Sequence, residues 1–339
     1  MPRYGRIDFP GALHHVIIRG INRASIFRDD NDRENFIRRL QKGLVETKLR
    51  CYAWVLMINH VHLLLRTGPQ PLTKLMRCLL TGYAVYFNLR HNRAGYLFQN
   101  RYKSILCDDE AYLLQLVRYI HLNPLRANII SSLQELNTYP WCGHSVLLGN
   151  EKAEWQDTGE ILERFGSTLR EARKNYLEFV REGIKEGQRS DLTGGGLIRS
   201  AGGWHNLLDL RKAGERVRGD ERILGDSDFV QRALKTAEEQ LTKREQKRSI
   251  GWNLQLLLDR VEEICGIEIG LIRARKKDRT SSRARALFAW WATEELGFNL
   301  TEIAGFLGIS KAAVSKATRK GQKIIEEESI EFPAKQVNK

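Results

Sequence analysis

Residues 57–65, Met-Ile-Asn-His-Val-His-Leu-Leu-Leu, constrain the fold of this chain most strongly. They predict a turn leading into a β-strand, because side chains along a strand alternate between the two faces of a sheet. Val61 and Leu63 would face one side of the sheet, and His60 and His62 the other. Two imidazoles on one face can reach a single cation, although a hydrogen-bonded or solvent-facing pair explains the same residues. Burying both rings without partners would cost free energy, so we expect partners for them.

The composition points to an anionic partner. The chain has 339 residues, enough for two or three domains, and a formal net charge of +14. Such an excess most simply indicates nucleic acid. A membrane surface is the alternative, but no apolar run approaches the ~20 residues of a spanning helix, and the N-terminus lacks the apolar core of a signal peptide. The five cysteines are scattered, as is typical of reduced thiols. We therefore expect a cytoplasmic protein.

The pattern of residues 1–150 predicts the order strand, helix, strand, strand, helix, strand, helix. This order fits an α+β domain whose antiparallel sheet carries helices on one face. The predicted strands are 12–19, 50–56, 60–66 and 101–107, and the predicted helices are 31–47, 71–90 and 109–123. His14 and His15 in the first strand point to opposite faces, so at most one of them could join a site with the other histidines. Neither is assigned a role.

The pattern loosens after residue 150. A charged helix is predicted over 168–186, and the glycines at 194–196 and 202–203 indicate a flexible segment, not a phosphate-binding loop. A charged run at 243–248 marks a domain boundary. We therefore predict the following order after the first domain: a helical extension and linker over 151–250, an all-α domain over 251–325, and a disordered tail over 326–339.

The helix before Pro124 places Tyr119 and Asn123 four residues apart and on one face. If that face lies across His60 and His62, two imidazoles and a carboxamide oxygen could bind Mg²⁺ or Mn²⁺ and leave positions open for phosphate oxygens. Tyr119 could then attack a scissile phosphate and form a covalent phosphotyrosine. On the residues alone, a core position also explains Tyr119 and a turn before proline also explains Asn123.

Four stretches of the first domain together match a known pattern. They are Ile-Asp-Phe-Pro-Gly-Ala at 7–12 with Arg-Gly at 19–20, Met-Ile-Asn-His-Val-His-Leu at 57–63, Leu-Phe-Gln-Asn-Arg-Tyr-Lys at 97–103, and Arg-Tyr-Ile-His-Leu-Asn-Pro-Leu-Arg-Ala at 118–127. In these stretches the chain resembles the REP-associated tyrosine transposases of the single-tyrosine HUH superfamily. The resemblance implies a ferredoxin-like domain in which His60, His62 and Asn123 bind the metal ion and Tyr119 is the nucleophile.

The same resemblance implies the substrate, which is single-stranded DNA folded into hairpins at palindromic repeats. It would be cleaved and rejoined through a 5′-phosphotyrosine by a monomer or a homodimer. Arg101 and Lys103, interleaved with aromatic residues, could follow its phosphates, although a solvated basic face explains them as well. Ile58 stands where the family usually has proline, so the turn before the histidines is less fixed in φ.

Residues 300–319 have the spacing of a helix-turn-helix. Thr301 is expected to cap a first helix, Gly308 to allow the turn, and Ser310 to cap a second helix. Four polar side chains of the second helix would enter a major groove of duplex DNA: Lys311, Ser315, Lys316 and Arg319. Packing against another protein is the alternative use of such a motif. The segment 253–322 also resembles the C-terminal domain of DnaA-type replication initiators, but Ser-Lys replaces the usual Asp-His pair at 310–311, so the box specificity does not carry over.

The leading interpretation is a metal-dependent, nucleoid-associated DNA transposase that cleaves and rejoins single strands, held on duplex DNA by its C-terminal domain. One alternative is a non-catalytic, sequence-specific DNA-binding regulator that retains the fold. Another is a hydrolytic metal nuclease, which would leave no adduct on the protein. A covalent adduct on Tyr119 distinguishes the transposase from both.

Overall fold

The computed structural model describes residues 7–187, 192, 220–249, 251–273 and 278–333, with 240–249 described by their backbone alone. The chain forms two compact units, Met1–Ala237 and Glu238–Lys339. The glycines at 194–196 and 202–203 and the last residues of the predicted tail lie outside the described residues. No described helix combines the length and the apolar character that crossing a bilayer requires.

A five-stranded sheet lies at the centre of the first unit and makes the fold mixed α+β. Its strands are β1 (Leu13–Arg19), β2 (Arg50–Leu56), β3 (His60–Arg66), β4 (Lys103–Cys107) and β5 (Ile223–Leu224). Their order in space is β2-β3-β1-β4-β5. The first four strands pair antiparallel, as the sequence predicts, and β5 adds a short parallel edge. The strand β5 comes from the stretch predicted to be extension and linker, and two residues are too short for a periodic signal.

The described helices up to residue 249 are α1 (Asp30–Thr47), α2 (Leu72–Arg90), α3 (Asp109–His121), α4 (Asn123–Arg126), α5 (Leu133–Thr138), α6 (Gly143–Leu148), α7 (Gly159–Leu162), α8 (Leu169–Glu182) and α9 (Ser227–Ser249). A 3₁₀ turn, Gly183–Glu186, follows α8 directly.

Helices cover both faces of the sheet, which corrects the expectation of helices on one face. Val16 and Leu63 pack with α1 and α2 in one core. Ile17 and Leu64 pack with α3 in the other core, together with buried residues of α7 and α8. The second layer of helices forms because apolar residues beside the histidines, such as Ile17 and Leu64, are also stabilised by burial away from water. Part of the predicted extension supplies that cover.

The described part of the second unit is helical. Its helices after α9 are α10 (Leu254–Cys265), α11 (Ile269–Arg273), α12 (Arg279–Glu294), α13 (Leu300–Leu307) and α14 (Lys311–Glu328). The last helix continues past residue 325, where the sequence analysis placed the end of the domain.

A short turn joins α13 to α14. Gly308 begins it with a left-handed φ of 66°, and Ser310 caps α14 by accepting a backbone N–H bond, both as expected. The cap of α13 is Asn299 and not Thr301, so that prediction was wrong. The Asn299 side chain accepts from the backbone N–H of Glu302, and the Glu302 carboxylate accepts from the backbone N–H of Asn299. This reciprocal capping box starts the helix before Thr301.

Candidate functional site

The pairing of β1 with β3 gathers histidines on one face of the sheet. Its register sets His62 opposite Ile17 and His60 opposite Arg19. Residues that lie opposite each other share a face, and so do residues two apart along a strand. His15 therefore lies on the same face as His60 and His62. The ring centres of His60 and His62 are 5.1 Å apart, as the spacing of two residues along β3 predicts for one face.

Helix α3 brings Tyr119 to the same face. Leu116, Val117 and Ile120 are buried in the core on this side of the sheet, which fixes how α3 lies over it. The half-buried ring of Tyr119 lies edge to face with the ring of His62, at 6.0 Å between centres. The structure thus places the candidate nucleophile beside the candidate metal ligands.

His15 is part of this cluster, although the sequence analysis gave it no role. Its Nε2 lies 2.8 Å from Nδ1 of His62, and its ring lies 5.9 Å from that of Tyr119. His14 points to the opposite face, where it bonds to Ser104. The alternation of β1 therefore predicts that one of the two histidines shares a face with His62. It does not predict which one.

The histidines of the cluster are neutral at pH 7. Burial lowers the pKa of His15 to about 4 and holds the pKa of His62 well below its ordinary value of 6.5. Burial, aided by the charge of Arg19, lowers the pKa of His60 to about 4. A divalent cation binds an imidazole through an unprotonated nitrogen, so rings that stay neutral are suited to hold one.

Asn123, the candidate third ligand, lies at the start of α4, directly after α3. Its Nδ2 donates to the carbonyl oxygens of Tyr119 at 3.0 Å and of Ile120 at 3.2 Å. Among the hydrogen bonds of the described residues, none joins Asn123 to His60 or His62. The carboxamide therefore ties the end of α3 together, and Oδ1 is the atom left to serve as a ligand.

The donor set fits a divalent cation that takes further ligands from outside the protein. Within the part of the chain that the structure describes, no three His, Cys, Asp or Glu side chains form a metal-binding group. The two neutral imidazoles of His60 and His62 are a partial set, typical of sites that keep positions open for substrate. A carboxamide, water and phosphate oxygens would fill the remaining positions.

Cationic side chains flank the histidines. Lys103 lies opposite Ile17 in the pairing of β1 with β4, which puts it on the face of the cluster, and its charge contributes to the lowered pKa of His15. The exposed Arg101 lies two residues before the start of β4. The guanidinium of Arg126 lies 5.4 Å from the centre of the Tyr119 ring. This face is suited to an anionic polymer.

The second unit carries the other candidate DNA contacts. On α14, Lys311, Lys316 and Arg319 are exposed and Ser315 is half-buried, whereas Val314 is buried against α13 and α12. The exposed basic residues therefore share the side of α14 that faces away from the core.

Comparison with known proteins bears on the first unit. Residues 10–123, about a third of the 339 residues, match the family of IS200-like transposases. A solved structure of a REP-associated tyrosine transposase bound to a REP hairpin is similar at a TM-score of 0.37 and 14% identity, over 47% of this chain and 96% of that one. No curated protein matches the chain. The family match confirms the resemblance to transposases that the sequence motifs indicate, and it covers the part of the chain that carries His60, His62 and Tyr119.

Proposed function

We propose that this protein is a metal-dependent transposase that cleaves and rejoins single-stranded DNA through a covalent bond to Tyr119. The observation that carries the proposal is the convergence of the phenol of Tyr119 with the imidazoles of His60 and His62 on one face of the sheet. A protein that only binds DNA has no need for a nucleophile beside two neutral imidazoles. The family match supports DNA transposition as the broader activity.

His60 and His62 would hold Mg²⁺ or Mn²⁺, with Oδ1 of Asn123 as a third ligand. The ion would stabilise the negative charge that develops on the phosphate oxygens. The two strands β1 and β3 fix both rings before substrate arrives, so little reorganisation is needed when the phosphate binds.

Tyr119 would open and close the DNA strand without a nucleotide cofactor. Its oxygen forms a bond to phosphorus while the bond from phosphorus to the 3′ oxygen breaks. The phenol gives up its proton, and the 3′ oxygen takes one up. In the second step a 3′ hydroxyl attacks the phosphotyrosine and the reverse exchange frees Tyr119. One phosphodiester bond is broken and one is made, so the steps balance.

Single-stranded hairpin DNA is the proposed substrate, as the motifs of the first domain imply. A nucleophile on the rigid helix α3 must reach a backbone phosphate, which an unpaired strand presents more freely than a duplex. Lys103 and Arg101 would bind neighbouring phosphates, since they lie on or beside the face that carries Tyr119.

The second unit would hold the enzyme on duplex DNA. The support is the short turn between α13 and α14, with Gly308 in the left-handed region and an exposed basic side on α14. Lys311, Lys316 and Arg319 would contact phosphates or base edges in a major groove.

Covalent capture tests the proposal. The full chain is incubated with Mn²⁺ and a pool of hairpin oligonucleotides that have single-stranded flanks and a 3′ label. We expect labelled protein on a denaturing gel, none for Tyr119→Phe, and retained hairpin binding by that variant on a native gel. Tyr96→Phe is the matched control, because Tyr96 is 83% exposed and has no role in the proposed chemistry.

Each of three other outcomes of this experiment would contradict part of the proposal. An undiminished adduct in Tyr119→Phe refutes the assigned nucleophile. Cleavage without any adduct supports a hydrolytic nuclease. Salt-sensitive binding without cleavage, across all hairpins and metals, supports a DNA-binding regulator.

A further inference from the structure

The hydrogen-bond partners of the two candidate ligands determine where each imidazole carries its proton. A neutral imidazole has one N–H and one lone pair, and its partners decide which nitrogen is which. The structure gives each ring a partner on Nδ1: Asn59 for His60 and His15 for His62.

For His60 the assignment follows from the orientation of Asn59. The Nδ2 of Asn59 donates to the carbonyl oxygen of Arg23 at 3.0 Å. Its Oδ1 is therefore the atom that lies 2.7 Å from Nδ1 of His60. Since a carboxamide oxygen only accepts, Nδ1 of His60 donates, and Nε2 of His60 keeps the lone pair.

For His62 the assignment runs through His15. The Nδ1 of His15 lies 3.1 Å from the carbonyl oxygen of Leu192, which only accepts, so Nδ1 of His15 donates. His15 is fully buried, and a second proton on its ring would place a positive charge against the imidazole of His62, which is costly away from water. Its Nε2 therefore accepts from Nδ1 of His62 at 2.8 Å. Nε2 of His62 then keeps its lone pair as well.

We propose that His15 and Asn59 are positioning residues that hold the protons of His62 and His60 on Nδ1 and so leave both Nε2 lone pairs for a divalent cation. This inference rests on the metal site proposed above and assigns the residues that orient its ligands. Partners of this kind fix the tautomer and the ring orientation of metal-binding histidines, and their loss typically costs roughly 10- to 100-fold in metal affinity.

The segment after α8 takes part in this arrangement through the carbonyl of Leu192. Leu192 lies outside the part of the chain that matches the transposase family, residues 10–123. The 3₁₀ turn Gly183–Glu186 that precedes it is held against α3 and α4. Arg118 of α3 pairs with Glu186, and Arg126 of α4 donates to the carbonyl oxygen of Gly183 at 3.3 Å. The extension thus contacts the nucleophile helix and also supplies the carbonyl that orients His15.

The test measures tautomers in the metal-free, full-length protein with ¹⁵N-labelled histidine. Long-range ¹H–¹⁵N spectra distinguish Nδ1–H from Nε2–H, and single variants assign the signals of the eight histidines. We expect Nδ1–H for both His60 and His62. An Nε2–H tautomer on either ring overturns the assignment for that ring.

Variants of His15 then link the tautomer to metal binding, measured as the Mn²⁺ dissociation constant. His15→Leu removes the acceptor, so we expect a mixed tautomer on His62 and Mn²⁺ binding weakened roughly 10- to 100-fold. His15→Gln keeps an acceptor and should stay near the wild type. His14→Leu is the matched control on the opposite face and should change neither readout, while thermal melting checks that each variant folds.

The outcomes separate this inference from the proposed function. An unchanged tautomer and an unchanged Mn²⁺ affinity in a folded His15→Leu variant overturn the positioning role. Nδ1–H tautomers in a wild-type protein that binds no Mn²⁺ count against the metal site, and with it against the purpose assigned to His15 and Asn59, while the proton positions themselves stand.

Discussion

The ring of Tyr119 lies 6.0 Å from the ring of His62, edge to face. The two side chains come from different layers of the fold, since His62 belongs to β3 and Tyr119 to the helix α3 that covers the sheet. Packing of α3 therefore decides whether the phenol can reach a phosphate bound at the histidines. The proposed chemistry of Tyr119 depends on this contact.

Removing both imidazoles should abolish metal-dependent cleavage while the DNA remains bound. For the double variant His60→Ala, His62→Ala we expect Mn²⁺-dependent cleavage to fall by roughly 10²- to 10³-fold or more, because the charge on the phosphate oxygens loses its partner. Rates come from cleavage of a labelled hairpin, and binding from a native gel. His14→Ala, on the opposite face, is the control and should cleave normally. Wild-type rates in the double variant would contradict the ligand roles.

Acid should destabilise the first unit through its buried histidines. Burial lowers the pKa of His15 to about 4 and that of His144 to about 3, whereas both titrate near 6.5 in the unfolded chain. The unfolded state therefore binds more protons in this range, and stability falls as the pH drops from about 6.5 to about 4. Each histidine contributes up to about 1.4 kcal/mol per pH unit.

Urea denaturation at several pH values between 7.5 and 4.5 measures this loss. The variant His144→Gln should show a shallower dependence, because one buried neutral imidazole is gone. A stability that stays constant across this range in the wild type would contradict the burial of neutral histidines.

Two glycines of the second unit make a matched pair. A methyl group on Gly321 would lie 2.0 Å from the carbonyl oxygen of Ala286, so helices α12 and α14 would have to separate. We expect Gly321→Ala to destabilise the second unit by roughly 1–3 kcal/mol. Gly305 in α13 has open space around it, and Gly305→Ala should be neutral or stabilising by about 0.5–1 kcal/mol. Thermal melting of the full chain compares them, and equal effects would contradict the close crossing.

Duplex binding should depend on the basic side of α14. The double variant Lys316→Ala, Arg319→Ala should weaken binding to duplex DNA and lower its salt dependence, because two phosphate contacts are lost. Cleavage of a short single-stranded hairpin should stay unchanged. Lys174→Ala removes an exposed lysine from α8 and serves as the control. If duplex binding survives the double variant, α14 is not the DNA-binding element.

The sequence predicted an element correctly where the alternation of apolar and polar residues follows one clear period. The alternation at 60–66 predicted β3 and the opposite faces of Val61 and His62, and the structure agrees. One consequence of strand pairing could not be predicted. The alternation of β1 could not say which of His14 and His15 joins the site, because the register with β3 decides it.

Other features depend on contacts between distant parts of the chain. The carbonyl oxygen of Leu192 bonds to His15, which is 177 positions away in the chain. No local sequence pattern predicts a hydrogen bond over such a separation. The N-cap of α13, by contrast, could have been predicted from the local sequence. Asn299 followed by Glu302 three residues later fits a capping box, and it competes with Thr301 as a helix start.

The most direct test of the central claim is to locate the DNA on the protein. The wild-type chain is captured on a hairpin oligonucleotide with Mn²⁺, digested with protease and nuclease, and analysed by mass spectrometry. The account predicts a nucleotide attached through a 5′ phosphate to the peptide that contains Tyr119. A nucleotide on a peptide of another tyrosine, such as Tyr96 or Tyr102, would contradict it.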